Sequence, residues 1–188
     1  MPWAWVAGPL FSEFQSALQF RDIVLVCSGA AITPVLGLSQ YFDPKVHRVT
    51  LIWLSRDAEL ISFLLPICNP ATKIVVYYTG KDKAREKIAA LKTQKFFAAP
   101  HLSAKQQMKV QQQRSMQDST EPNRAEKLEV QFGRPKDWDT ILDEHIAPNM
   151  RGETCVAISS GVKRLSAEVE QLCKKKGIAR IRSDASFG

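Results

Sequence analysis

The chain lacks any apolar run near the roughly 18 residues that a membrane-crossing helix needs. Its N-terminus, Met-Pro-Trp-Ala-Trp-Val-Ala-Gly-Pro, has no basic stretch ahead of a long apolar core, which argues against a secretory signal. Cysteine is sparse: Cys27, Cys68, Cys155 and Cys173 are the four present, and none forms a CxxC pair. That spacing argues against zinc and against a disulfide framework. Cys27 and Cys155 fall inside apolar runs, where a thiol behaves as a small hydrophobe. Reduced buried thiols fit a cytosolic compartment. Histidine is scarcer still. His47, His101 and His145 are the three present, are scattered, and read as surface residues. No metal site is expected.

What the chain does have is size and positive charge. Its 188 residues suffice for one domain with a substantial core. Hydrophobic residues are 45% and charged residues 24%, an ordinary balance for a globular domain. The formal net charge of +7 attracts anions such as nucleotides. Residues 1–21 read as a lead-in segment with a turn at Gly8-Pro9, and residues 22–188 as the domain proper. From about Pro100 to Glu126 the chain is polar and Gln-rich. Such a composition buries little apolar surface and reads as a mobile insertion. Lys83 to Phe97 reads as a basic amphipathic helix, but aromatic residues do not interleave its charges, so no nucleic-acid partner is expected.

Apolar runs rich in β-branched residues predict strands over 23–27, 48–54, 73–78, 128–132, 155–159 and 178–182. Between them, helical spacing predicts helices over 33–40, 58–68, 138–146 and 163–176. Asp57 and Asp137 stand where side-chain caps belong. Gly177 stands where a left-handed cap ends a helix. Strands alternating with helices predict an α/β fold, a doubly wound, mostly parallel sheet of five or six strands with helices on both faces. Right-handed crossovers place all strand C-termini at one rim, where such sheets bind ligands.

The most informative stretch is Ile23 to Gly37. A buried strand leads into Ser28, Gly29, Ala30 and Ala31, small residues that allow close backbone approach. Thr33 and Pro34 then suit a capping residue and a first-turn proline. Strand, small turn and helix is how α/β proteins hold a pyrophosphate.

At four places the chain resembles the NAD(P)-binding half of the ferredoxin-reductase superfamily, with the nearest likeness to its ferric reductase and NADPH oxidase branch. Ser28-Gly29-Ala30-Ala31-Ile32-Thr33-Pro34 is similar to that family's Gly-x-Gly-(Ile/Val)-Thr-Pro loop, with Ala31 in place of the second glycine. Ser55-Arg56 is similar to the pair that holds the adenosine ribose and, in NADPH users, its 2′-phosphate. Phe132-Gly133-Arg134-Pro135-Lys136-Asp137-Trp138 resembles the Phe-Gly-Arg-Pro-x-Trp signature, one residue longer. There Arg134 is implied to meet the coenzyme's phosphates or ribose. Ser159-Ser160-Gly161 stands at the family's Cys-Gly-Pro motif, so Ser159 takes the place of the cysteine near the reacting atoms. Phe187 looks like the terminal aromatic that stacks on flavin.

The resemblance implies a module that binds NADPH, or NADH, and presents its nicotinamide to FAD. The FAD barrel of the family is not found here; Gly8-Pro9 looks like the end of one, so the resemblance implies FAD on a missing domain or partner. A haem-bearing membrane partner is implied in the same way, with the module in the cytoplasm or on the cytosolic face of a membrane. The alternative is a non-catalytic nucleotide-binding or interaction module, which the Ser159-Ser160 replacement and the Ala31 methyl favour. A shared fold does not secure a shared activity. Deleting residues 103–123 is expected to leave the melting temperature nearly unchanged; a large drop in a calorimetric scan would show that this stretch packs.

Overall fold

The computed structural model describes residues 13–39, 41–68, 72–91 and 128–183. Gly8-Pro9, the 100–126 stretch and Phe187 lie outside the described residues.

Six strands form one sheet: β1 (Asp22–Ser28), β2 (Arg48–Ser55), β3 (Lys73–Tyr78), β4 (Leu128–Phe132), β5 (Thr154–Ser159) and β6 (Ala179–Ser183). Their order across the sheet is β4-β3-β2-β1-β5-β6, and every pairing is parallel. The chain steps outward from β1 to β4 and then returns to the opposite side of β1. The gap between β1 and β5 is therefore the topological switch point.

Five helices connect the strands: α1 (Thr33–Ser39), α2 (Ala58–Leu64), α3 (Arg85–Ala90), α4 (Trp138–His145) and α5 (Lys163–Lys176). One apolar layer joins Ile23, Leu25 and Cys27 of β1 and Leu51 and Trp53 of β2 to α1, α2 and α3. The other joins Val24, Val26, Val156 and Ile158 to Trp138, Ile141 and Leu142 of α4 and Val169 and Cys173 of α5. The sheet is thus covered on both faces, which is why its central strands are continuous apolar runs. Each large side chain buried this way contributes about 1.5–3 kcal/mol.

The caps form as the residue types require. The Asp57 carboxylate accepts the backbone N–H groups of Glu59 and Leu60 at 2.9 and 3.0 Å. Asp137 accepts from the Thr140 hydroxyl at 2.6 Å and from Asp139 N–H at 2.9 Å, which holds its carboxyl below the usual range. Gly177 ends α5 at φ 67°.

Several expectations are corrected. Thr33 is not a cap, because a 3-10 turn over Gly29–Ile32 already starts the helical path ahead of it. Its hydroxyl donates back to the Ala30 carbonyl at 2.7 Å. The helix expected over 58–68 tightens to a 3-10 turn at Leu65–Ile67, around Pro66. Of the basic helix, the described part is α3, after a 3-10 turn at Asp82–Ala84. Part of the lead-in belongs to the core: a 3-10 helix at Glu13–Gln19 buries Phe14 and Ala17 completely. A further 3-10 turn, Pro148–Glu153, leads into β5. The four cysteines are buried and unbridged. Burial raises all three thiols that shift: Cys27 well above its ordinary value, Cys155 to about 12 and Cys173 to about 11. Thiols held protonated are poor nucleophiles.

His47 and His145 are half-buried rather than surface residues. One ring nitrogen of His47 lies 3.0 Å from the Leu18 carbonyl, and the other accepts Asp43 N–H at 3.1 Å. His145 closes α4 beside a cavity of about 180 Å³ at the N-terminal edge of β1, β2 and β5. Burial, and then the nearby Lys73 charge, hold its pKa below the ordinary 6.5, against the pull of Glu129 and Glu144. The unfolded chain therefore binds that proton more readily than the folded one. Stability must fall as the pH drops below the ordinary value, until the lowered folded value is passed. His145→Gln is expected to flatten the dependence of the urea midpoint on pH between about 7 and about 5. An unchanged slope would show that another group governs that window.

Candidate functional site

The C-terminal rim of the sheet is polar at its centre. β1 ends on Ser28, β2 on Ser55 and β5 on Ser159. In register, Cys27 pairs with Trp53 on one side and with Ser159 on the other. The segments 28–34, 55–56 and 159–161 therefore meet on neighbouring strands, as the sequence predicts.

The loop after β1 turns at Gly29, whose φ of 54° is a conformation other residues seldom adopt. The fully buried Trp53 of β2 holds this turn: its indole N–H donates to the Gly29 carbonyl at 3.0 Å. Ala31 and Ile32 are buried, while Ala30 and Thr33 are exposed. The methyl group that replaces a family glycine at Ala31 is thus turned from solvent. Pro34 is half-buried in the first turn of α1.

At the end of β2, Ser55 is nearly fully buried and its hydroxyl accepts Asp57 N–H at 3.1 Å. That hydroxyl shapes the turn. Arg56 is exposed, and its guanidinium has no partner among the described residues. Because Asp57 caps α2, its carboxylate is committed to the helix rather than to Arg56.

The outer rim is stitched together by backbone bonds. Thr79 N–H donates to the Ser55 carbonyl and Gly133 N–H to the Tyr78 carbonyl, both at 2.9 Å. Gly80 lies against the Tyr78 ring and the Arg56 carbonyl, leaving no room for a β-carbon. Phe132 meets Tyr78 edge-on at 6.4 Å, and the Arg85 guanidinium sits 5.4 Å from the Phe132 centroid. Arg134 is exposed just beyond Gly133, which has φ 99°. With strands about 4.8 Å apart, β4 lies roughly 14 Å from β1. Arg134 therefore stands on the same rim, at its outer edge.

At the switch point the Ser28 and Ser160 hydroxyl oxygens are 2.6 Å apart. Ser160 also accepts Val162 N–H at 3.0 Å, and Gly161 is exposed beside it. Ser159 is fully buried, and its hydroxyl has no hydrogen-bond partner among the described residues. Such a group loses the hydration it would have unfolded, a cost of about 1–3 kcal/mol. Among the described residues no three His, Cys, Asp or Glu side chains converge as a metal site would require, and no helix is long and apolar enough to cross a membrane.

A family model described as the ferric reductase NAD binding domain matches residues 20–174. The chain belongs to this family. No curated protein matches it. The ferric reductase NAD-binding domain formed here is an NAD(P)H-binding module. A glycine turn leads into a helix at the switch point, and exposed arginines stand along one side of it.

Sequence reasoning missed Trp53, Gly80 and the contacts of Tyr78, Phe132 and Arg85. An indole in the apolar run Leu51 to Leu54 was the available signal, since a buried Trp N–H must find an acceptor. Trp53→Phe keeps most of the bulk and removes that donor. It is expected to lower the unfolding free energy of this ferric reductase NAD-binding domain by about 1–3 kcal/mol in urea and to weaken NADPH binding. A variant matching the parent in both would remove the indole as the support of the loop.

Proposed function

We propose that the domain binds NADPH, or NADH, across the rim and presents the nicotinamide C4 to FAD held on another domain or on a partner. The observation that carries this is the convergence of three matching segments at the switch point of a family fold that binds nicotinamide dinucleotide. The coenzyme, when bound, supplies the hydride; the chain supplies position and electrostatics. The backbone of Gly29 to Pro34 takes the pyrophosphate at the start of a helical run. Arg56 takes the 2′-phosphate, for which its planar fork is suited. Arg134 contributes charge at the outer rim. Ser159, Ser160 and Gly161 border the nicotinamide end, with Ser159 in the place of the family cysteine. Phe187 is the aromatic available for a flavin ring. A partner carrying FAD and haem in a membrane would place the module on the cytosolic face; without one it is cytoplasmic.

One observation favours a second reading, a nucleotide-binding module without electron transfer. Ser159 offers oxygen in place of sulfur, and its hydroxyl is fully buried. Binding and reduction separate the two readings.

A hundredfold excess of NADPH over its Kd is expected to add about 2.7 kcal/mol, roughly 5–10 °C in melting temperature. No shift at millimolar NADPH would end both readings. Binding without reduction of an added FAD domain from a ferric reductase would leave the second. Arg56→Ala is expected to weaken NADPH roughly tenfold or more while leaving NADH within twofold. Equal losses for both coenzymes would refute the 2′-phosphate role.

A further inference from the structure

The cavity of about 180 Å³ at the N-terminal edge of β1, β2 and β5 lies at the far end of the sheet from the polar rim. β1 spans seven residues, so at about 3.3 Å per residue the cavity is roughly 20 Å from Ser28. Strand register builds its wall. Asp22 pairs with Arg48 on one side and with Thr154 on the other, and Val24 pairs with Thr50 one step further in. Residues two apart on a strand share a face, so all five lie on the side of the sheet that α4 covers. The end of α4 and the turn after it close the cavity through His145 and Ile146. Arg48 and Ala147 are exposed, so it opens to solvent on their side.

The charges on this wall satisfy each other. Arg48 donates to both Asp22 carboxylate oxygens, at 2.6 and 2.8 Å. His145 is uncharged at neutral pH, because burial and then the Lys73 charge hold its pKa below the ordinary 6.5. A charged ligand would therefore lose its hydration without meeting a free counter-charge, which is unfavourable. Hydrogen-bonding capacity, by contrast, is left over. The Thr50 hydroxyl and the His145 ring nitrogens have no hydrogen-bond partner among the described residues, and each group offers both a proton and a lone pair. The Thr154 hydroxyl donates to the Met150 carbonyl at 2.7 Å, so towards the cavity it only accepts. A fitting ligand thus brings at least one donor, with acceptors beside it. Val24 and Ile146 add apolar surface, which suits the faces of a flat ring better than a polyol. The volume is close to the roughly 150 Å³ of an apolar cavity that holds benzene, so it takes one substituted ring.

We infer that this cavity is a binding site for an uncharged, single-ring nitrogen heterocycle bearing an amino group, held by Thr50, Thr154 and His145. The site is independent of the coenzyme rim and of what binds there.

The test is NMR of the His145 ring nitrogens in the full chain, with His145→Gln assigning the signal. The probe is 2-aminopyrimidine, which is uncharged at neutral pH and carries N–H donors beside ring acceptors. It is expected to move the His145 signal with a Kd of about 1 mM or below. Its dimethylamino analogue keeps the ring and loses the donors, and is expected to bind about five- to tenfold more weakly. Benzamidinium, a charged ring with N–H donors, is expected to bind more weakly by at least as much. Thr50→Val keeps a β-branched residue in β2 and removes the hydroxyl; it is expected to weaken 2-aminopyrimidine about five- to tenfold. A His145 signal that stays put at about 10 mM probe overturns the site. Equal binding of the dimethylamino analogue or of benzamidinium overturns the ligand class, and unchanged binding in Thr50→Val overturns the role of that hydroxyl. If Thr50→Val does not fold, the three probes on the parent still decide.

Discussion

A parallel strand buried on both faces, with a neighbour on each side, has almost no freedom of register. The polar centre of the sheet's rim is built around one such strand. β1 pairs with β2 and β5 along its length, so a slip of one residue would turn Ile23, Leu25 and Cys27 to the wrong layer. The same pairing brings Ser28, Ser55 and Ser159 to one rim. The rim keeps its register because the core beneath it cannot shift.

Above that core the rim trades packing for chemistry. β1 is apolar from Ile23 to Cys27 and β5 from Cys155 to Ile158, and each then ends on a serine where the backbone leaves the sheet. Trp53 joins the two regimes, with its ring in the core and its N–H on the Gly29 carbonyl. Ser159 lies at the same boundary with a buried hydroxyl that no described residue satisfies, a cost the core does not require. Arg56, Arg85 and Arg134 follow β2, β3 and β4, and exposed Lys163 and Arg164 open α5 just beyond the short loop that leaves β5.

The architecture was legible because a two-face-buried parallel sheet writes itself as short apolar runs spaced by helices. Ile23 to Cys27, Lys73 to Tyr78 and Cys155 to Ser159 declare themselves strands by composition alone. Asp57 and Gly177 were legible for the same local reason, since a cap is decided by its own residue type and its nearest neighbours. The helical start was misread at Thr33. The turn that begins at Gly29 is held by the Trp53 indole from another strand, which is not visible within the loop's own residues. The segments 13–19 and 148–153 escaped because their 3-10 turns lack a long apolar period.

By itself the sequence determined the strands, the alternation that makes the sheet parallel, and the residues available at each strand end. These follow from local propensity and periodicity, which act over a few residues at a time. Only the tertiary structure decided which ends are neighbours: that Ser28 touches Ser160, 132 positions along the chain, that the Trp53 indole reaches the Gly29 carbonyl, and that Arg134 stands at the outer edge. Strand order is set by where whole apolar faces can be buried together, a constraint that no short window of residues contains.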